Sequence, residues 1–412
     1  VRKEVRNMID TGNTSFVIIC AALVCLMTPG LAFFYGGLVG RKNVITIMMQ
    51  SFISMGVVTI IWFVIGFSLA FGPDIHGIIG SLKYAFLDCV GMEPDAIYGD
   101  TVPFLTFFSY QQMFAIITPA LITGAFADRV NFKSYLIFLV IWSLLVYVPL
   151  AHWVWGGGFL AQLGAADFAG GIVVHASAGL AALASVFVVG KRRDMSASAV
   201  EPHNITYVAL GTGLLWFGWF GFNAGGAMGA TGLASTAFVN TDITASVAMV
   251  TWLVISWIRD KSPSFVGALT GAVAGLATIT PAAGYIKPWG AFILGIMAGV
   301  ICYFAVLLRK KLDWDDALDV WGVHGVGGML GAIMIGVFAV SEVNGVSGLV
   351  EGNVSQFFIQ LGATAFAGAY AFAVTFVILK VINKFTPVRV SEQEELEGLD
   401  HALHHEEAYR LE

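Results

Sequence analysis

Charge is what this sequence has least of. Only 12% of its 412 residues are Asp, Glu, Lys or Arg, while 58% are hydrophobic. A soluble domain carries about one quarter charged residues. So little charge excludes an ordinary soluble globule, and the mean hydropathy of +0.81 points to a polytopic membrane protein. Cysteine is also scarce. Of the four, Cys20, Cys25 and Cys302 lie in apolar runs and Cys89 in a loop, with no paired spacing for a disulfide or a metal site. They are read as small packing residues. No nucleophile–base pair and no cofactor motif is present, so neither enzyme activity nor a cofactor is expected. Between apolar runs the longest polar segment is residues 73–100, too short for a separate soluble domain. The net charge of −6 says little about partners, because residues 391–412 hold eight carboxylates against Arg410 alone. No nucleic-acid partner is expected. The chain opens VRKEVRN with no apolar run before residue 14, so no signal peptide is visible in it. Whether the native chain had one, or continues past residue 412, is left open.

Long apolar runs are what the sequence has in quantity. A helix needs about 20 apolar residues to cross a bilayer. Eleven runs qualify: residues 14–38, 44–72, 101–125, 132–154, 169–190, 203–226, 237–258, 263–281, 288–309, 321–341 and 354–384. Lys and Arg collect in alternate connections: Arg41 and Lys42; Arg129 and Lys133; Lys191, Arg192 and Arg193; Arg259 and Lys261; Arg309, Lys310 and Lys311; then Lys380, Lys384 and Arg389. The intervening connections carry only Lys83 and Lys287. Positive charge marks the cytoplasmic side, so eleven spans place the N-terminus outside and the tail inside. Arg2, Lys3 and Arg6 oppose this for the first helix, a conflict that a removed signal peptide would resolve.

Two of the runs resemble each other. Residues 167–183 read DFAGGIVVHASAGLAAL and residues 319–333 read DVWGVHGVGGMLGAI. Each opens with Asp, carries a histidine within the span and is rich in small residues. One begins outside and the other inside, the pattern of an inverted-topology repeat whose site lies near the midplane. His175 follows Asp167 by eight residues, roughly 12 Å along a helix. His324 follows Asp319 by five, roughly 7–8 Å. Antiparallel helices with small residues at their crossing would bring the two rings to similar depth. An ionisable side chain inside a membrane span is a functional hypothesis by default. Two alternatives remain for the pair: each ring satisfies a backbone carbonyl at a helix interface, or the two bind a metal. A metal would want carboxylates or thiols at the same depth, and only helix-end Asp residues are near. The resulting fold class is an all-α polytopic membrane protein: eleven transmembrane helices, a 5+5 inverted repeat plus a C-terminal helix, N-out/C-in. Residues 1–386 form the membrane domain and 387–412 an acidic cytoplasmic tail.

The segments FFYGGLVGRKNV (33–44), FAIITPALITGAFADR (114–129), HWVWGGG (152–158), DFAGGIVVH (167–175), WFGFNAGG (219–226) and DVWGVHGVGG (319–328) resemble the ammonium transporter (Amt/Rh) family, Amt-type branch. The resemblance covers nearly the whole chain, with the motifs in the expected order. It implies a homotrimer with one pore per subunit in the cell membrane, no metal and no cofactor. It implies that His175 and His324 are twin histidines of a conduction path for ammonium or ammonia. Trp155 and Phe114 would surround the entering cation, which a ring face attracts by about 0.5–2 kcal/mol. Phe114 and Phe222 would stack below them as a hydrophobic gate. Asp167 would be a structural carboxylate capping its helix, and Asp319 its counterpart in the second half. The family's transporters usually place a serine of the outer ammonium site where this chain has Gly226, which removes an acceptor worth about 1.5–3 kcal/mol to a cation. The tail, through its GLD and final AY, resembles the family's cytoplasmic tail, which packs on a neighbouring subunit. A cytoplasmic P-II-type regulator or a fused signalling module are the partners implied there. His401, His404 and His405 are read as solvated. Two other readings stay open: an ammonium sensor that uses the same fold as a receptor, and a neutral-gas channel of Rh type.

Overall fold

The computed structural model describes residues 9–194 and 201–409; Arg2, Lys3, Arg6, Arg410 and Glu412 lie outside them. Among the described residues, ten helices are long and apolar enough to cross a membrane: α1 Thr11–Leu38, α2 Arg41–Phe71, α3 Phe104–Phe126, α4 Phe132–Gln162, α5 Gly171–Val189, α6 Ile205–Ala227, α7 Gly232–Asp260, α9 Pro288–Lys311, α10 Trp321–Phe338 and α11 Val354–Phe385. Between α7 and α9 lies a shorter apolar helix, α8 Phe265–Ile279. It occupies the expected run at 263–281, which is helical over only 15 residues. Side-chain caps start several of these helices: Asp10 accepts from the Asn13 N–H, Asn204 from Tyr207, Thr231 from Ala234, Ser264 from Gly267 and Asn353 from Gln356. Such a cap satisfies one of the four N–H groups a helix start leaves unpaired.

Equivalent helices of the two halves pack on each other. Helix α1 lies along α6, and α5 crosses α10. Glycine makes the second crossing possible. A Cβ on Gly179 would lie 2.1 Å from the Gly325 Cα, so the two backbones touch directly. Helix α11 covers α5 and α10 from outside. Both α5 and α10 open with a π-helical turn, Gly171–Ala176 and Trp321–Gly325, and each turn contains one of the two histidines. Single π turns are rare and concentrate at functional sites.

The Lys- and Arg-rich connections meet at the end of the bundle that carries the tail. Arg129 is fully buried and donates to the carbonyls of Ala125, Ala127, Gly190 and Asp315. Arg192 pairs with Asp315 at 2.8 Å and with Asp128 at 3.2 Å. Against the upward push of burial, Arg129 and Arg192 hold the Asp315 carboxyl below the usual carboxylate range. The tail forms two short helices, α12 Glu392–Glu397 and α13 Leu399–His404, and lies against its own chain. Asp400 accepts from the backbone N–H groups of Ile45 and Thr46 and from the Thr46 hydroxyl. Glu395 pairs with Arg389 and accepts from the Arg193 N–H. Tyr409 hydrogen-bonds His203 and lies under the Arg41 guanidinium. At the opposite end, two small hairpins fold over the helices: β1 Asp74–Ile75 with β2 Ile79–Gly80, and β3 Pro94–Asp95 with β4 Gly99–Pro103.

Candidate functional site

The two histidines meet. Their Nδ1 atoms are 3.3 Å apart, and the rings lie 20° from parallel with centroids 5.3 Å apart. Both side chains are buried, at 1% and 3% exposure. One Nδ1 donates and the other accepts, so the pair shares a single proton on this edge. The His175 Nε2 has no hydrogen-bond partner among the described residues. Its character follows from the shared bond. When the His175 Nδ1 donates, Nε2 is a bare acceptor; when Nδ1 accepts, Nε2 is a donor. Trp219 stacks on His175 with centroids 5.3 Å apart, a contact the sequence reading did not name. A cavity of about 10 Å³ borders both rings, and Met27, Leu31, Ile117, Leu215 and Val273 form much of its wall. A water needs about 10–15 Å³ and two or more polar partners, so this space is at the limit for one water.

Above His175 the aromatic residues come together in order. Phe222 lies 6.0 Å from the His175 ring, and Phe114 packs on Phe222 with centroids 4.1 Å apart. Trp155 meets Phe114 edge-on at 6.0 Å. The Tyr110 hydroxyl donates to the Phe222 carbonyl at 2.6 Å and holds that turn of α6. Below the histidines, His324 borders a second cavity of about 490 Å³ at the tail end, walled by Tyr35, Arg309, Asp315 and Asp319 among others. The elements thus form one line: Trp155, the two phenylalanines, the two histidines, then the inner cavity.

Asp167 lies just before α5 and turns its carboxylate back onto the start of that helix. Its Oδ1 accepts from the Gly170 and Gly171 N–H groups and its Oδ2 from Ile172 and Val173, at 2.7–3.2 Å. One carboxylate therefore closes four free donors at the start of α5 and complements the helix dipole. The Trp155 indole N–H donates to the Asp167 carbonyl, which ties the aromatic wall to the same residue.

Asp319 does not have the matching role. The cap of α10 is Asp316, whose carboxylate accepts from the Val320 and Trp321 N–H groups. Asp319 is left-handed, with φ 59°, and pairs with Arg309 at the inner cavity. Burial and the neighbouring Asp319 push the Asp316 carboxyl up to about 6. With Asp316 in place of Asp319 the repeat becomes regular, because each histidine follows its capping Asp by eight residues.

Gly226 lies beside Phe168. A Cβ there would come 2.9 Å from the Phe168 carbonyl oxygen and 3.1 Å from its ring. The Phe168 ring also fills the space over Gly284 and meets Tyr285 edge-on. The sequence reading had not named Phe168, although it stands next to Asp167. In the tail, His401 bonds Glu397, and the His404 ring packs edge-on against Phe132 at 5.1 Å.

The model of the Ammonium Transporter Family matches residues 15–409. The "Ammonium transporter" of Bacillus subtilis is 49% identical over 402 residues, covering 97% of this chain and 98% of that protein. "Ammonium transporter Amt1" of Archaeoglobus fulgidus is 46% identical, covering 97% and 99%. Among solved structures, Candida albicans Mep2 superposes with a TM-score of 0.88 at 35% identity, covering 95% of this chain and 89% of that one. A structure described as "Sensor Amt Protein" also gives 0.88, at 29% identity, covering 95% and 98%.

Proposed function

The chain belongs to the ammonium transporter family, and on that premise we propose that it carries ammonium through the line of residues from Trp155 to His324. The observation that carries this reading is the histidine pair, 3.3 Å apart in an apolar cavity of about 10 Å³. Stripping water from a cation in such a space is costly. Ammonium has a way round the cost: it gives up a proton and crosses as ammonia, while the proton takes its own route. Potassium has no proton to give. Trp155 and Phe114 receive the cation, the Phe114–Phe222 stack closes the dry segment, and the unpartnered Nε2 of His175 supplies a hydrogen-bonding atom to the neutral molecule. The pair's shared proton lets either ring donate or accept.

In this reading residues 1–386 are the transport domain of a homotrimer in the cell membrane. The N-terminus is outside, and the tail, residues 387–412, is in the cytoplasm, where it is the surface for a P-II-type regulator. The gathering of the Lys- and Arg-rich connections around the tail supports that orientation. The test is current on a solid-supported membrane from proteoliposomes: ammonium jumps give charge movement and equal potassium jumps give none. Equal currents for the two ions would reject the reading.

A second reading, an ammonium receptor with little flux, draws on Gly226, where the family's usual acceptor is missing, and on the likeness to the sensor structure. Ammonium binding by calorimetry without charge movement would favour it.

A further inference from the structure

His152 is fully buried in the last turn of the helical stretch Val148–Val154 within α4, three residues before Trp155. Both of its ring nitrogens face acceptors: Nδ1 is 2.8 Å from the Ala70 carbonyl oxygen and Nε2 is 2.8 Å from Asp74 Oδ1. A carbonyl oxygen can only accept, so Nδ1 carries a proton. The Asp74 carboxylate already accepts the Gly77 N–H with both oxygens, as an anion does. The contact at Nε2 is therefore a hydrogen bond only when Nε2 is protonated too. The geometry describes an imidazolium clamped between a carbonyl and a carboxylate. Against the upward push of burial, the His152 bond and the Gly77 N–H hold the Asp74 carboxyl below its ordinary value.

This clamp joins three things. Asp74 belongs to the β1–β2 hairpin, whose turn also docks on α4 through Ile78 O, which accepts from the Trp153 indole, and Gly77 O, which accepts from the Phe159 N–H. Ala70 is at the end of α2. The His152 carbonyl accepts the N–H groups of Gly156 and Gly158, so it holds the turn on which Trp155 sits. Packing there is tight: a Cβ on Gly156 would lie 2.0 Å from the Ala70 oxygen and 2.7 Å from the His152 Nδ1. Movement of the ring or of Ala70 is thereby passed directly to the residue after Trp155.

We propose that His152 is a positioning residue for substrate capture: as an imidazolium bonded to Asp74 it fixes the hairpin and the Trp155 turn over the pore entrance, and loss of its proton at high pH on that side releases them. A neutral ring would face the carboxylate with a lone pair at 2.8 Å, which is repulsive. The bond is present at low pH and lost as pH rises. Asp74 is partly exposed, with 32% of its side chain accessible, and gives the proton a way out. The other titratable groups facing Asp74 are His76 on the same hairpin and Tyr98 on the next, with Asp95 beyond it. Burial raises the Tyr98 phenol, so it stays neutral throughout this range.

The inference rests on ammonium being captured beside Trp155, and the test separates the two claims. KM for ammonium, expressed as cation concentration, is measured in proteoliposomes from about pH 5 to 8, where imidazole titrates. In the wild type KM rises with pH by about threefold to tenfold, a fraction of one charged hydrogen bond. Asp74→Asn can donate its amide N–H to a neutral Nε2 and still accept from Gly77, so it keeps the low-pH KM and flattens the slope. His76→Gln keeps the wild-type slope, and His152→Ala raises KM at every pH. An unchanged slope in Asp74→Asn overturns the proposal. Should the wild type carry no ammonium current, the transport reading fails and amide exchange decides the clamp. Intrinsic-rate-corrected protection of residues 74–80 falls with pH in the wild type but not in Asp74→Asn if the clamp exists. Equal pH responses of the two proteins refute it.

Discussion

The Nδ1 atoms of His175 and His324 lie 3.3 Å apart across 149 residues of chain. Trp219 and Phe222 stack on the His175 ring, but its Nε2 has no hydrogen-bond partner among the described residues. Replacing either histidine by Ala is expected to lower ammonium current at least tenfold, about 1.4 kcal/mol of barrier, or to open a wetter path that admits potassium. Charge movement with each cation in turn distinguishes these outcomes. Wild-type ammonium currents and no potassium current in both variants would reduce the pair to packing.

Gly226 tests the outer site, and the crowding by Phe168 sets the design. Gly226→Ser adds a hydroxyl, worth at most about 1.5–3 kcal/mol to a cation, roughly tenfold to a hundredfold in affinity. It also adds a Cβ that meets the Phe168 oxygen at 2.9 Å. Gly226→Ala carries the same Cβ without the hydroxyl. The serine variant is expected to have the lower KM of the two, by less than that upper bound. Equal KM values would mean that the outer site is not at this position.

The two aspartates before α10 are expected to differ. Asp316→Ala removes acceptors from two N–H groups at a helix start, a loss of about 1–2 kcal/mol. Asp319→Ala breaks a partly exposed pair with Arg309 and costs less, since such pairs contribute about 0–1 kcal/mol. Thermal unfolding in detergent, followed by intrinsic fluorescence, is expected to show the larger drop in Tm for Asp316→Ala. The reverse order would restore Asp319 as the cap.

The tail is fastened by few residues. Asp400 accepts three hydrogen bonds from Ile45 and Thr46, and Lys42 donates to the Leu396 carbonyl. Asp400→Ala is expected to release α13 and make residues 398–409 more than tenfold faster to cleave in limited proteolysis. That corresponds to about 1.4 kcal/mol of local opening. Unchanged cleavage would show that the other contacts, among them Glu395 with Arg389 and Tyr409 with His203, hold the tail without Asp400.

Much of this protein is determined by its sequence alone. A bilayer demands long apolar runs with their backbone satisfied internally, so the helices could be read as composition, to within a few residues at most ends. His175, His324, Trp155, Phe114 and Phe222 could be named because each stands in a motif, and an ionisable ring in an apolar run has few innocent explanations. Three-dimensional packing decided the rest. Asp316 and Asp319 are three residues apart and equally acidic. Only the backbone path, left-handed at Asp319, determines which of them turns back to the helix N–H groups and which reaches Arg309. Phe168 fills the space at Gly226 because the connection that leads into α5 folds against the end of α6, a contact that no local period records. The acidic tail, which composition alone makes a solvated extension, buries Glu395 and Asp400 because cations and free N–H groups from distant connections await them. His152 becomes an imidazolium clamp only when folding sets a carbonyl from α2 and a carboxylate from a hairpin on either side of it. Hydrophobic period reports which face of an element is buried. It says nothing of the partner across that face, and the chemistry of a buried polar group is set by that partner.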